Sequence, residues 1–308
     1  MSSPSNLTVI VCTRERPTLL AGALDSIRAS MSSHVQVLVV DSGSSTSATR
    51  DVARAARVEY VRLEIGGLSI ARNAGIAAAA TDYVLFTDDD CRPVAGWTDA
   101  IVAGFDDPAV GAVTGRMLDH SEIGSDAPYE RKWQMSRVLD GLDGGHGALM
   151  AFDRRLLVAL GGFDDVLGAG RRFGGAEDLD MFCRVLGAGR TIVHTPKSVI
   201  HHVNTREGDE YTELHYRYGL GLGAMTNKWI RTRPATGIAM FAVLTKRTLG
   251  RLWRDRSVER LSRADRAMMR GILRGLFAAS ALRVSNQRFV DRDGIAAATP
   301  AGSTNLTT

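Results

Sequence analysis

Residues 83–93 read YVLFTDDDCRP, and this stretch indicates both the fold and the place of a site. Its first five residues have the composition of a buried β-strand, and three consecutive carboxylates, Asp88, Asp89 and Asp90, follow directly. Adjacent carboxylates repel one another, so such a run persists either fully solvated or beside a cation. The apolar strand argues against full solvation. In open α/β sheets, ligands bind beyond the carboxyl ends of the strands, where this triplet would lie.

The three aspartates therefore predict a site for a metal ion and a diphosphate. Mg²⁺ or Mn²⁺ held by one or two carboxylates commonly completes its coordination with substrate phosphates. An acidic helix N-cap in a surface turn is the alternative that this stretch leaves open.

The chain before this stretch alternates strands and helices. Leu7–Thr13 and Val35–Val40 are continuous apolar runs, as expected for strands covered on both faces, and a third strand is predicted at Val58–Leu63. A helix that opens with Arg14, Glu15, Arg16 and Pro17 is predicted to run through Ser30, and a second helix is predicted over residues 47–57. This order predicts an α/β fold with a mostly parallel, doubly wound, Rossmann-like sheet.

Polar residues at the ends of these segments are candidate ligand contacts. Thr13 and Arg14 follow the first strand, where a dinucleotide-binding G-x-G-x-x-G is absent. Asp41 follows the second strand and could accept hydrogen bonds from a base or ribose, although a helix cap is the alternative. Arg72 lies near the start of a helix predicted from Ser69 to Ala80, where donors can face an anion, and a surface ion pair is its alternative.

Two later segments carry further candidates. A glycine-rich loop at 167–175 leads into a helix that begins near Glu177 and Asp178, and a carboxylate there can act as a general base. A capping pair is the alternative.

His201 and His202 point to opposite faces of a strand predicted at 198–203, so one of them points away from any shared site. Imidazole can bind Mn²⁺ or a phosphate, and a structural role is the alternative.

Composition narrows the class of protein. The chain has 308 residues, of which 44% are hydrophobic, and three widely spaced cysteines without a CxxC pair. Neither a disulfide framework nor a zinc knuckle is predicted, and a cytoplasmic location fits best. The N-terminal residues lack the features of a signal peptide, and no apolar run is long enough to span a membrane.

The positive charge is concentrated in residues 231–290, which hold 14 Lys and Arg against three Asp and Glu, a net charge of +11. This segment predicts basic amphipathic helices that attach to an anionic membrane surface, here the inner face of the plasma membrane. A solvated helical hairpin packed on the main domain is the alternative. No motif for reading nucleic acid accompanies the charge, so we expect no nucleic acid partner. Residues 1–6 and 291–308 are predicted to be disordered.

Taken together, the motifs resemble those of the family 2 glycosyltransferases, which are nucleotide-sugar-dependent enzymes with a GT-A fold. The resemblance covers roughly residues 6–225, and the order and spacing of the motifs make it specific. The motifs are VIVCTRERP, VVDSGS, GLSIARNAG, FTDDDCRP, AFDRRLLVALGGFDD, GGAEDLDMFCR and PKSVIHH. The resemblance implies a GT-A domain over residues 7–230, followed by the basic helical appendage at 231–290.

The resemblance also implies roles for the donor-side residues. Thr13, Arg14 and Glu15 match the first nucleotide-contacting loop, and Asp41 matches the acid that reads the base, usually uracil. Arg72 matches the arginine near the nucleotide and phosphates. The ends of the DxD motif are matched by Asp88, toward ribose or sugar, and Asp90, on a Mg²⁺ or Mn²⁺ ion. Asp89 can share either task, and His202 matches the late histidine near the metal better than His201 does.

On the acceptor side, Asp178 matches the catalytic base, and Glu177 supports it. The resemblance implies an inverting transfer of a sugar from a nucleotide-diphosphate donor, with UDP favoured, to a hydroxyl of a lipid-linked or cell-envelope glycan. His146 stands where such enzymes often have Asn, which is a departure from the family pattern on the acceptor side. No processivity motif follows His202, so a single transfer is expected. A sugar nucleotidyltransferase and an inactive glycan-binding module are the competing hypotheses, although TRERP is not the glycine- and lysine-rich loop of a nucleotidyltransferase.

Overall fold

The computed structural model describes residues 6–119, 133–203 and 208–290. They form two compact units. The first comprises residues up to 162 together with 182–205, and the second comprises 163–181 together with 206–295. The segments predicted to be disordered lie outside the described residues, apart from Asn6, as does much of the polar stretch at 118–143. Residues 208–230, which the sequence analysis placed in the GT-A domain, group with the basic helices in the second unit.

The first unit is built on one mixed sheet. Its strands are β1 (Leu7–Thr13), β2 (Gln36–Asp41), β3 (Glu59–Arg62), β4 (Tyr83–Asp88), β5 (Cys91–Pro93), β6 (Val110–Asp119), β7 (Trp133–Met135), β8 (Met150–Asp153) and β9 (Thr191–His202). Their spatial order is β3-β2-β1-β4-β8-β6-β9-β5, with β7 beside β9. Its helices are α1 (Pro17–Ser30), α2 (Ala48–Ala55), α3 (Leu68–Ala78), α4 (Trp97–Val102) and α5 (Arg154–Ala159).

The parallel half of the sheet confirms the predicted βαβαβ order. β1 pairs in parallel with both β2 and β4, and all seven of its residues are buried. Helix α3 lies close on this half, because a Cβ at Gly75 would stand 2.7 Å from Cγ2 of Ile10. The carboxyl ends of β1, β2 and β4 therefore meet at one edge of the sheet.

The other half of the sheet contains antiparallel pairs, within a sheet that is mostly parallel as predicted. β8 pairs antiparallel with both β4 and β6, and β5 and β7 pair antiparallel with β9. The two short strands predicted at 191–194 and 198–203 are one strand, β9, which runs past Pro196. Its pairing with β6 shifts register between Thr114 and Arg116, and this irregularity accommodates the proline.

The second unit is helical. Its main elements are α7 (Gly208–Thr232), α8 (Pro234–Arg254) and α9 (Glu259–Ala278), followed by the hairpin of β10 (Arg283–Ser285) and β11 (Arg288–Val290). Helix α6 (Glu177–Gly187) begins in this unit. α7 and α9 approach closely, since a Cβ at Gly223 would stand 2.0 Å from the carbonyl oxygen of Ile272. Over the described ranges, none of the helices combines the length and apolar composition that crossing a membrane requires.

Candidate functional site

The three aspartates, here called the aspartate cluster (Asp88, Asp89 and Asp90), lie where β4 ends and β5 begins. Asp88 is the last residue of β4 and pairs with Cys12 of the parallel strand β1. Asp89 and Asp90 form the turn to β5 and are almost fully buried. The cluster thus lies beside the loop that leaves β1.

Side chains from three elements contact the cluster. The Thr13 hydroxyl donates to Oδ2 of Asp89 at 2.7 Å. Nη1 of Arg16 donates to Oδ1 of Asp89 and to Oδ2 of Asp90, each at 3.1 Å. Nε2 of His202, at the end of β9, lies 3.3 Å from Oδ1 of Asp90. A cation and two polar groups therefore offset part of the negative charge.

The remaining negative charge affects the pKa of Asp88. Burial, with the neighbouring Asp90 and Asp89 carboxylates, raises the pKa of Asp88 to about 6, although the Arg72 guanidinium opposes this shift. Burial also raises the pKa of Asp89, against the hydrogen bond from Thr13. A divalent cation at these carboxylates would stabilise their ionised forms.

The residues present fit Mg²⁺ or Mn²⁺. Among the described residues, ligand atoms of Asp88, Asp90 and Cys91 lie within 4.8 Å of one another. Burial raises the pKa of the Cys91 thiol well above its ordinary value, so this sulfur stays protonated and is a poor ligand for a hard cation. The two carboxylates are the oxygen ligands that such ions prefer, and His202 stands beside Asp90 as a further donor.

The two histidines of β9 have different surroundings. His202 pairs with Cys91 across β5 and faces Asp90. His201 pairs with Arg92, and its Nδ1 is buried without a hydrogen-bond partner among the described residues. His202 is thus the histidine that lies with the aspartate cluster.

The loop after β1 is tied to the loop after β2. The Glu15 N–H donates to the Ser44 hydroxyl at 2.9 Å, and the Glu15 carboxylate accepts from the Ser45 N–H at 2.5 Å. Glu15 has a φ of 57°, which is uncommon for a residue other than glycine. Arg14 crosses Gly66, where a Cβ would collide with its guanidinium at 2.4 Å. Both side chains are exposed at this edge of the sheet.

Asp41, at the end of β2, is fully buried. Its Oδ1 accepts from the Ser44 N–H at 2.8 Å, and its Oδ2 accepts from the Tyr60 hydroxyl at 2.7 Å. Burial, together with this hydrogen bond to Asp41, raises the pKa of Tyr60. Asp41 therefore holds its own turn and β3 together, and each carboxylate oxygen keeps a second lone pair for another donor.

Arg72 lies in the second turn of α3 and is buried. Its Nη2 donates to the Gly147 carbonyl at 3.0 Å, and its guanidinium lies 5.8 Å from the centre of the Phe86 ring. The charge of Arg72 acts on Asp88 and on the thiol of Cys12. It thus supplies a buried positive charge behind the aspartate cluster.

Glu177 and Asp178 belong to the second unit, in the first turn of α6. Glu177 is buried, and Asp178 is half-buried with Oδ1 accepting from the Leu179 N–H at 2.8 Å. The residue before them, Ala176, has a φ of 66°. Both carboxylates thus lie at the N-terminal end of α6.

Sequence reasoning missed Arg16 as a site residue. It was interpreted only as part of the segment that opens α1, although the structure places its guanidinium between Asp89 and Asp90. A signal was available, because β1 and β4 were both predicted as parallel strands. A cation in the loop after one of these two strands and carboxylates after the other would then face each other.

The fold, with the aspartate cluster at the edge of its sheet, defines the class of protein as an α/β structure of the GT-A type. Residues 8–157 match the model of the family described as Glycosyl transferase family 2. Residues 8–157 therefore form a family 2 glycosyltransferase domain.

Curated relatives agree with the family. The chain is 26% identical over 292 residues to the pre-mycofactocin glycosyltransferase of Mycobacterium tuberculosis, an alignment that covers 82% of this chain and 59% of the relative. The chain thus spans about three fifths of the length of the relatives it matches.

Solved structures confirm the fold. The mannosyltransferase PcManGT from Pyrobaculum calidifontis, in complex with GDP-Man and Mn²⁺, has a TM-score of 0.64 at 20% identity, and 90% of each chain is covered. S. aureus TarS 1–349 in complex with UDP-GlcNAc has a TM-score of 0.52 at 17% identity, with 70% of this chain and 66% of that chain covered.

Proposed function

We propose that this protein transfers a sugar, with inversion, from a nucleotide-diphosphate donor to an acceptor hydroxyl. The observation that carries the proposal is the aspartate cluster, which lies with Arg16 and His202 at the strand ends of a family 2 domain. These carboxylates can hold a divalent ion, and a cationic side chain lies beside them. Together the ion and the cation suit a charged diphosphate.

On the donor side, we assign the residues at this edge of the first unit to the nucleotide sugar. They are Thr13, Arg14, Glu15, Asp41, Arg72, Asp88 and Asp89, with Asp90 and His202 at the metal. Arg72 and Arg16 add fixed positive charge close to the cluster, which favours the developing charge of the leaving diphosphate. A Mg²⁺ or Mn²⁺ ion at Asp88 and Asp90 supplies further charge for that group when bound.

A UDP-sugar is the favoured donor, because the Asp41 position matches the acid that reads uracil in this family. Two similar structures support a nucleotide sugar of some kind, since TarS is bound to UDP-GlcNAc and PcManGT to GDP-Man with Mn²⁺. GDP-mannose is therefore the second donor to test.

On the acceptor side, we assign Asp178 as the general base and Glu177 as its support. Asp178 takes the proton from the acceptor hydroxyl while that oxygen forms a bond to the anomeric carbon. The bond from this carbon to the diphosphate oxygen breaks, and the electron pair leaves with the nucleotide diphosphate. Asp178 is half-buried in the first turn of α6, so part of its carboxylate is open to an acceptor.

We propose a lipid-linked or cell-envelope glycan as the acceptor, on account of the basic helices described below. The curated relatives are named for pre-mycofactocin, so an acceptor of that class is the second candidate. The absence of a processivity motif from the sequence after His202 favours one transfer per acceptor.

The proposal predicts metal-dependent stabilisation by a nucleotide sugar. With UDP-GlcNAc, UDP-glucose or GDP-mannose at 100 times its dissociation constant, the free energy of unfolding should rise by about 2.7 kcal/mol. This corresponds to several degrees in Tm, measured by thermal unfolding with and without Mn²⁺. Nucleoside monophosphates serve as the control, because they lack the diphosphate that the metal contacts.

Product analysis separates the competing hypotheses. Release of a nucleoside diphosphate from the stabilising donor supports transfer, whereas release of pyrophosphate from a nucleoside triphosphate and a sugar phosphate would indicate a nucleotidyltransferase. Stabilisation by glycans alone, without nucleotide release, would indicate an inactive binding module. Either of these results would contradict the proposed reaction.

We further propose that residues 231–290 attach the protein to an anionic membrane surface, while residues 7–230 carry catalysis. On α8, Ile238, Leu249 and Trp253 are 60%, 53% and 72% exposed. Their spacing places them within an arc of about 60° on one face of the helix. Exposed Lys246 lies about 20° beyond Trp253 at the edge of this face, which matches the pattern of an interfacial helix.

Vesicle sedimentation tests this attachment. Binding to vesicles that contain phosphatidylglycerol should exceed binding to neutral phosphatidylcholine vesicles and should weaken at high salt. Trp253→Ser should reduce binding about tenfold, because the buried area of a large apolar side chain is lost. Val158→Ser removes an exposed apolar side chain in the first unit and serves as the control. Equal binding to neutral vesicles, or stronger binding to duplex DNA, would contradict the proposal.

A further inference from the structure

The second unit contains a buried ion cluster formed by Lys228, Asp164 and Asp180. Nζ of Lys228 donates to Oδ2 of Asp164 at 2.7 Å and to Oδ2 of Asp180 at 2.8 Å. The side chain of Lys228 is 1% exposed, and both carboxylates are completely buried. Charged groups are rarely buried to this extent, so the arrangement calls for a reason.

Neighbouring donors complete the hydrogen bonding of this ion cluster. Nε1 of Trp229 donates to the second oxygen of Asp180 at 3.1 Å, and the Phe289 N–H donates to Oδ2 of Asp164 at 2.9 Å. Buried ion clusters add little net stability compared with apolar side chains, because both charges lose their hydration. Their directional bonds do fix the geometry of the groups that they join.

The ion cluster holds one particular segment. Asp164 and Asp180 lie near the two ends of residues 163–181, here called the acidic segment, and Asp178 lies two residues before Asp180. One lysine of α7 therefore ties both ends of the segment that carries Asp178 to the same point of the helix.

A second contact on α7 touches the same segment. A Cβ at Gly221, two helical turns before Lys228, would stand 2.1 Å from the Gly175 carbonyl oxygen. The backbone of the acidic segment thus lies directly on the backbone of α7, two residues ahead of Glu177. The glycine is needed here because any side chain would displace that backbone.

We propose that Lys228, with Gly221, is a positioning residue that sets the orientation of Asp178 toward the acceptor hydroxyl. This inference rests on the proposed role of Asp178 as the general base. Lys228 is itself buried and bonds to both ends of the acidic segment, so its effect passes through that segment. Small displacements of a base can lower a rate by about 100-fold, because proton transfer requires hydrogen-bond geometry.

Steady-state kinetics of the full-length protein test the inference. Lys228→Met should lower kcat per folded molecule by about 10- to 100-fold. The donor KM should change by less than about twofold, because the donor-side residues lie in the first unit. The matched control is Arg190→Met, which breaks the ion pair of Arg190 with Asp153 in the first unit. That pair lies outside both the acidic segment and residues 231–290, so Arg190→Met should lower Tm and leave kcat unchanged.

Two glycine substitutions provide a second test if Lys228→Met does not fold. Gly221→Ala forces the acidic segment away from α7 and should lower kcat in the same way. Gly189→Ala adds the same methyl group in the first unit, where nothing lies within 4 Å of the new Cβ, and should leave kcat per folded molecule unchanged.

The outcomes separate the two proposals. Unchanged kcat per folded molecule in both Lys228→Met and Gly221→Ala, while Asp178→Asn is inactive, would overturn the positioning role alone. Full activity of Asp178→Asn would instead remove the general-base assignment on which the inference rests. A fall in kcat with constant donor KM in the test variants, and not in the controls, supports the inference.

Discussion

Asp178→Asn is expected to lower kcat for sugar transfer by about 10²- to 10⁴-fold, which is the usual contribution of a general base. The amide has nearly the same shape as the carboxylate but cannot take up the acceptor proton. Stabilisation by the nucleotide sugar should persist, because the donor-side residues belong to the other unit. Rates of nucleotide release with acceptor, together with thermal unfolding with donor, measure the two effects separately.

A matched carboxylate provides the control for this variant. Asp209 also lies in the first turn of a helix in the second unit, and its side chain is exposed and paired with Arg263. Asp209→Asn should therefore leave kcat within about twofold, since an exposed ion pair contributes little. Retained transfer by Asp178→Asn, at the rate of this control, would exclude Asp178 as the base.

Asp90→Asn is expected to abolish the Mn²⁺-dependent part of donor stabilisation and to lower kcat/KM at least 100-fold. The substitution removes one of the two carboxylates that fit the metal, and a bound metal contributes several kcal/mol of charge stabilisation in the transition state. It also weakens the ion pair with Arg16 and the contact with His202. Titration of Mn²⁺ against Tm, with donor present, measures the loss.

Asp25→Asn is the control for Asp90→Asn. Asp25 is an exposed carboxylate on α1 in the same unit, so its loss changes net charge by the same amount without touching the aspartate cluster. Mn²⁺ should stabilise this variant as it stabilises the original protein. An undiminished response to Mn²⁺ in Asp90→Asn would show that the metal binds elsewhere.

The first half of the fold could be predicted because its signals are local. β1 and β2 are uninterrupted runs of β-branched and aliphatic residues, and each is followed by a helix with apolar spacing. The antiparallel entry of β8 was not predictable, since a four-residue strand carries no sign of its direction. Two short strands were predicted at 191–194 and 198–203, whereas β9 continues through Pro196 with a shifted register.

The candidate site, like the fold, could be predicted only where its signals were local. Residues at strand ends, such as Thr13 and Asp89, could be expected to meet because parallel strands bring their carboxyl ends to one edge. The partner of Asp164 and Asp180 could not be expected in this way. Lys228 is separated from Asp164 by 64 positions, and a single lysine within a helix looks like any solvated surface charge.

The three cysteines, Cys12, Cys91 and Cys183, are free and buried. Burial raises the pKa of Cys12 to about 12 and that of Cys91 well above its ordinary value, so these thiols react slowly with alkylating reagents. Fluorescent dyes can therefore be attached to new cysteines on each unit without removing the native ones. Energy transfer between two such dyes would follow, in real time, whether donor and acceptor draw Asp178 toward the aspartate cluster.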